Sequence, residues 1–128
     1  AKGMCVGPQN AEETEQTYDT LDKQMEDPYS IYNFVKQTIS IRNAFPEIAR
    51  GTNTFEKDLS NDNVCIFTRE YNGEKAVLIF NPSKDEASVD VSSLGVNDAV
   101  AMLQTTKKAP SYKDGTAKLP AYSVLVLK

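Results

Sequence analysis

The sequence predicts a mainly β protein: an antiparallel β-sandwich of Greek-key type, preceded by a loop and one amphipathic α-helix. Three observations carry that reading. A segment between Asp27 and Gly51 repeats its apolar residues at the helical period and stops at a proline. From about residue 54 the apolar period changes to two. Six or seven short apolar runs then follow, separated by the turn formers Asn72-Gly73, Asn81-Pro82-Ser83 and Asp114-Gly115. Short strands punctuated in this way are the pattern of a sandwich.

Residues 1–26 read as polar and loop-like. Gly3, Gly7, Pro8 and Asn10 open the segment, and Glu12, Glu13 and Glu15 follow. Asn10 to Asp22 has room for a short helix anchored only by Tyr18 and Leu21. A stretch this poor in apolar residues needs a scaffold to order it.

The helix is expected over residues 28–44. Asp27 is a good N-cap residue, and Pro28 suits the first helical position, where its missing N–H costs nothing. Ile31, Phe34, Val35, Thr38, Ile39, Ile41 and Phe45 gather on one side, with Asn33, Lys36, Gln37 and Ser40 on the other. Pro46 disfavours a helical Phe45, so the helix should end near Asn43 or Ala44. The apolar stripe spans roughly 160°, against ~100° for an ordinary surface helix. A face that wide asks for more cover than a small neighbour supplies. Arg42 lies inside the stripe. Either it snorkels from the last turn and complements the helix dipole, or it pairs with a group on a neighbouring domain.

Val64 to Tyr71 reads as a strand, Asn72-Gly73 as a two-residue hairpin turn, and Lys75 to Phe80 as the partner strand, apolar on both sides. Ala87 to Val91 alternates, with Ser88 and Asp90 toward water. Ala99 to Gln104 suits a strand or a short helix, and the β context favours a strand. Tyr112 to Ala117 folds around Asp114-Gly115 as a small hairpin. Tyr122 to Leu127 closes the chain as a strand buried on both faces.

Composition narrows the function. With 128 residues the chain is one domain with attachments. Its 14 basic and 18 acidic residues give a net charge of −4, and the basic residues form no stripe, which argues against nucleic acid as a partner. No apolar run approaches the ~18 residues of a membrane span. No signal peptide is visible, and a first residue other than Met suggests a cut piece. Cys5 and Cys65 fit no metal spacing. Cys65 reads as a small core residue, and a disulfide between the two is permitted rather than required. The chain has no histidine, so a Ser-His-Asp or Cys-His relay and a His-ligated zinc are excluded within it. Glu12, Glu13, Glu15, Asp19 and Asp22 read as a solvated acidic face. Asp58, Asp62 and Asn63 read as a turn cluster lacking calcium-loop spacing. Tyr71 and Tyr112 are the candidate exposed rings for a sugar, against the plainer reading that each covers a sheet edge. The residues assemble no catalytic or metal site and imply no cofactor.

The chain resembles the C-terminal end of an α-amylase-type enzyme of glycoside hydrolase family 13. Residues 27–51 resemble the eighth helix of that family's (β/α)₈ barrel. The likeness lies in the Asp27-Pro28 start, the Ser30-Ile31-Tyr32-Asn33 turn, and the exit through Ile41, Arg42, Pro46, Ile48 and Gly51. Phe80-Asn81 and the ending Leu119-Pro120-Ala121-Tyr122-Ser123 are similar to the family's sandwich, domain C. Lys2-Gly3 and Gly7-Pro8 resemble the loop before helix eight. The resemblance implies residues 1–50 as the last loop and helix of a truncated barrel and residues 51–128 as domain C. It implies a parent enzyme that hydrolyses α-glucosidic bonds in starch or malto-oligosaccharides, with its catalytic carboxylates outside this chain, so that the chain alone is structural and inactive. It further implies that Ile31, Phe34, Val35, Thr38, Ile41 and Arg42 meet the missing barrel; in the chain alone this face is expected to dock on the sandwich, to pair two copies as a dimer, or to stay sticky. It favours an extracellular or cell-envelope location. Two alternatives remain: an independent carbohydrate-binding module, with several exposed rings in one plane, and a protein-interaction domain using the helix face.

Overall fold

Ser30, not Asp27, begins the long helix in the computed structural model, which describes residues 17–128. The Asp27 carboxylate instead accepts the Tyr29 N–H at 2.9 Å and closes a turn around Pro28. The Ser30 hydroxyl accepts the Asn33 N–H at 3.2 Å and donates to the Gln24 carbonyl. The Asn33 amide also donates to Gln24, Met25 and Asp27 carbonyls. Those carbonyls close α1 (Leu21–Glu26), a short helix that shares only Leu21 and Asp22 with the segment where one was expected. Cys5, Glu12, Glu13, Glu15, the Lys2-Gly3 and Gly7-Pro8 pairs and most of that expected segment lie outside the described residues.

The long helix, α2, runs Ile31–Ala44 and ends where Pro46 requires, with Phe45 extended at φ −118 and ψ 100. Pro46 then starts a further helix, α3 (Pro46–Arg50), from its first position. Among the described residues no helix is long and apolar enough to cross a membrane.

Eight strands follow: β1 (Thr52–Phe55), β2 (Cys65–Tyr71), β3 (Glu74–Asn81), β4 (Ala87–Asp90), β5 (Ala99–Leu103), β6 (Ser111–Lys113), β7 (Thr116–Leu119) and β8 (Ser123–Leu127). They form a five-stranded sheet in the order β1-β2-β3-β8-β5 and a three-stranded sheet in the order β4-β7-β6, with every pair antiparallel. Both two-residue turns have positive φ at both positions, 51° and 82° at Asn72-Gly73 and 49° and 79° at Asp114-Gly115. That geometry matches the twist of the strands they join. Ala99–Leu103 is a strand, as the β context favoured. The last strand begins one residue later than expected, because Tyr122 turns at φ 50 with its N–H on the Ser83 carbonyl.

The core lies between the sheets. Ile66, Val77, Ile79, Leu125 and Leu127 face Ala117 and Leu119, with Val64, Val91 and Val96 closing the ends. Each fully buried Ile or Leu contributes about 1.5–3 kcal/mol. β8 sits between β3 and β5, which explains its lack of polar alternation. A second apolar layer covers the other side of the large sheet. Ala76, Leu103 and Val126 are buried yet stand outside the inter-sheet cluster. Strand alternation turns them outward, toward α3 on β2 and β3 and α2 on β5. Cys65 also lies on this outer side, opposite Phe80 in the register, half-buried with a free thiol. The expected core role therefore falls to its neighbours Val64 and Ile66, since alternation points Cys65 away.

Candidate functional site

The wide stripe of α2 is divided lengthwise. One edge, Phe34, Ile41 and Phe45, is half-buried, consistent with the packing of α2 on β5 and α3. The other edge, Ile31, Val35 and Ile39, points away at 51%, 49% and 55% exposure. These three recur every fourth residue and so line up along the helix. With Leu21 and Gln24 of the α1 helix, Tyr32 and Lys36 they bound an open, almost wholly apolar groove of about 490 Å³. Thr38, between the two edges, is exposed and its hydroxyl donates back to the Phe34 carbonyl at 2.8 Å. Arg42 is exposed, and no ion pair holds it among the described residues.

The two tyrosines lie far apart in the topology. Tyr71 ends β2 opposite Glu74 and is half-buried. Tyr112 stands on β6 in the other sheet, packs on the core, and donates its hydroxyl to the Val96 carbonyl at 2.8 Å. Its ring and its polar end are both committed to the fold. Among the described residues no group of three or more Cys, Asp or Glu is placed to hold a metal ion.

No local pattern of residues signals the polar junction that fixes α3 to the sandwich. Glu47, in the first turn of α3, is buried and lies 2.7 Å from the Lys128 ammonium, which also reaches Glu74 at 3.2 Å. Lys128 sits 5.9 Å from the centre of the Phe45 ring as well. Arg69 of β2 donates to the Glu47 and Ile48 carbonyls at 3.4 and 3.0 Å. The Glu47 carbonyl also accepts the Gly51 N–H at 2.9 Å, whereas that of Ile48 is one that a helix end leaves without a backbone partner. α3 is thus held by Arg69 of β2 and by Lys128, just past the end of β8, and α2 packs on α3 in turn.

Burial pushes the Glu47 carboxyl pKa up. The close approach of Lys128, the residue's own backbone N–H and the Lys128 charge together outweigh this and hold it below the usual 4.5. The reciprocal contact with Glu47, and then Glu74, raises Lys128. A lowered carboxyl pKa stabilises the fold above the unfolded value and loses that contribution as pH falls through the folded one. Between pH 7 and pH 3 the native chain is therefore expected to lose more urea resistance than Glu47→Gln does. Equal losses in urea melts at the two pH values would show that the pair contributes nothing.

Residues 58–126 match the family described as maltogenic amylase, C-terminal domain. Among solved structures, Eubacterium rectale Amy13B is 98% identical with a TM-score of 0.92, over 100% of this chain and 25% of that chain. The trehalulose synthase MutB from Pseudomonas mesoacidophila MX-45 is 23% identical with a TM-score of 0.68, over 84% of this chain and 19% of that one. A MutB F164L mutant from crystals soaked with trehalulose is 22% identical with a TM-score of 0.70, over 85% and 20%. The two MutB likenesses show the fold alone. No curated protein matches the chain. The chain spans a quarter of the length of the first of these structures.

Proposed function

Since the chain belongs to the maltogenic amylase C-terminal domain family, we propose that it is the non-catalytic closing part of a longer α-amylase-like glycosidase. In this reading the α2 groove seats the catalytic barrel. The longer enzyme hydrolyses α-glucosidic bonds in starch or malto-oligosaccharides, using a carboxylate acid/base pair outside these residues. The observation that carries the reading is the exposed line Ile31, Val35 and Ile39, in a chain 98% identical over its whole length to a quarter of a longer one. Apolar surface concentrated in one groove marks an interaction site. The isolated tyrosines do not favour a carbohydrate-binding module, because Tyr71 and Tyr112 are half-buried on different sheets.

Two measurements test this. The 128-residue chain is expected to release no reducing sugar from maltoheptaose, while the longer chain containing it does. Val35→Asp is expected to change the stability of the 128-residue chain by only about 0.5 kcal/mol and to lower the thermal midpoint and activity of the longer chain. Turnover by the short chain, or indifference of the longer one to Val35→Asp, would overturn the reading.

A further inference from the structure

We infer that the Asn72-Gly73 turn is a site of spontaneous chemical modification, converting with time to isoaspartate, and that this product loosens the junction between α3 and the sandwich.

The reaction needs an asparagine whose side-chain carbon can be reached by the backbone nitrogen of the next residue. Asn72 is the only asparagine in the chain that is followed by glycine. Both residues are exposed at the tip of the β2–β3 hairpin, and a Cβ placed on Gly73 would meet nothing within 4 Å. The tip therefore has room to pivot, and exposed loop tips open at little cost. The side chains of Asn33, Asn61 and Asn81 are committed to hydrogen bonds, whereas among the described residues none holds the Asn72 amide. Asn81 is also followed by a proline, which has no N–H to give up.

The steps balance with water in and ammonia out. The Gly73 nitrogen loses its proton and bonds to the side-chain carbonyl carbon of Asn72. The bond from that carbon to the amide nitrogen breaks, and the nitrogen leaves as ammonia with the proton. Water then opens the five-membered imide. Opening at the side-chain carbonyl gives aspartate. Opening at the main-chain carbonyl gives isoaspartate, whose backbone runs through the side chain and is one methylene longer. Nothing is oxidised or reduced.

The second tight turn, Asp114-Gly115, is an internal comparison. Its φ values of 49° and 79° nearly repeat the 51° and 82° of Asn72-Gly73, so aspartate suits this turn as well as asparagine does. It is also the less reactive of the two. An ionised carboxylate resists attack by a nitrogen, and Gly115 is hemmed in, since a Cβ there would stand 2.7 Å from that of Ser92. The comparison separates the two products at position 72. Aspartate keeps the turn, whereas isoaspartate lengthens a loop of two residues whose length sets the register. Glu74, the next residue, stands opposite Tyr71 across the hairpin. It lies 3.2 Å from the Lys128 ammonium that also holds Glu47 of α3. A longer turn displaces Glu74 from both.

The experiment incubates the 128-residue chain in neutral buffer made with heavy-oxygen water and follows each asparagine by peptide mass. An enzyme that methylates isoaspartate marks that product. Asn72 is expected to convert roughly tenfold faster than any other described asparagine, taking up one heavy oxygen, with isoaspartate as the main product and Asp114 unchanged. Gly73→Ala is expected to slow the conversion about tenfold, because the added methyl group restricts the pivot. Asn72→Gln, which would need a six-membered ring, is expected to stop it. The separated isoaspartyl chain is expected to show a lower urea midpoint and faster amide exchange in α3, and Asn72→Asp neither. Conversion at Asn72 no faster than at Asn97, or a rate unmoved by both Gly73→Ala and Asn72→Gln, overturns the site. An isoaspartyl chain as stable as the native one and as protected in α3 overturns its effect on the junction, as does an Asn72→Asp chain equally loosened.

Discussion

Asn81→Ala is expected to cost about 2–4 kcal/mol of folding stability, the sum of lost buried hydrogen bonds and a small cavity. Asn81 is 2% exposed at the end of β3. Its amide nitrogen donates to the Asp85, Leu119 and Pro120 carbonyls at 2.8, 3.1 and 2.9 Å. Its oxygen accepts from the Ser83 N–H at 3.0 Å and the Ser83 hydroxyl at 2.8 Å. One side chain thus ties a strand of the large sheet to the exit of β7 in the small one. After truncation, Pro120 keeps the Ser123 hydroxyl and Asp85 keeps the Ser83 hydroxyl. Leu119 loses its side-chain donor outright. Asn81→Asp, nearly isosteric, is expected to be worse than alanine at neutral pH, because a carboxylate would face three carbonyl oxygens with no proton to give. Urea unfolding of the three proteins checks the order; an aspartate variant as stable as the native chain would refute the account.

Gly51→Ala is expected to cost about 1–3 kcal/mol, in the range of overpacked interiors. The glycine is not needed for conformational freedom, since its φ of −69 suits any residue. It is needed for space. A Cβ there would stand 2.3 Å from the Glu47 carbonyl oxygen and 2.8 Å from that of Glu70, both backbone atoms that cannot swing aside. Relief requires α3 to move off β2. That movement stretches the Gly51 N–H bond to Glu47, at 2.9 Å, and the Arg69 contacts. The expected signature is a lowered urea midpoint with faster amide exchange through α3, before any change in the β3–β8 pairing. Unchanged exchange in α3 would show that the junction tolerates the methyl group.

The parts of the fold legible in the sequence were those decided by neighbours along the chain. Pro46 ended α2, the Asn-Gly and Asp-Gly pairs made their turns, and the family likeness carried by the last strand falls within the matched residues 58–126. The parts that were missed depend on partners distant in sequence. Asp27 and Ser30 both suit an N-cap, and the choice fell to Ser30 through the Gln24 carbonyl of a helix that was not anticipated at that position. α3 is five residues long, too short to show a period. β1 reads Thr-Asn-Thr-Phe and is a strand because β2 pairs with it. Asn81 was read as a chain break, which it is, but two of its acceptors lie 38 and 39 residues onward. Glu47 was invisible for the same reason: its partner is Lys128. The groove was foreshadowed by the width of the α2 stripe, whereas which edge of the stripe stayed bare required the position of β5.

The placement of β8 sets an order on how the molecule can assemble. β1, β2 and β3 are neighbours in sequence and in the sheet, so they can zip together as they are synthesised. Among the described strands β5 has no neighbour in that sheet but β8, which follows all the others in sequence. Until β8 arrives, β3 keeps one edge open and β5 has nothing to pair with. Pairings that span so much sequence close slowly, because loop entropy must be overcome before any contact rewards it. The half-built sheet therefore waits on its last strand, and that interval is when its apolar edge is most open to capture by a chaperone or another nascent chain.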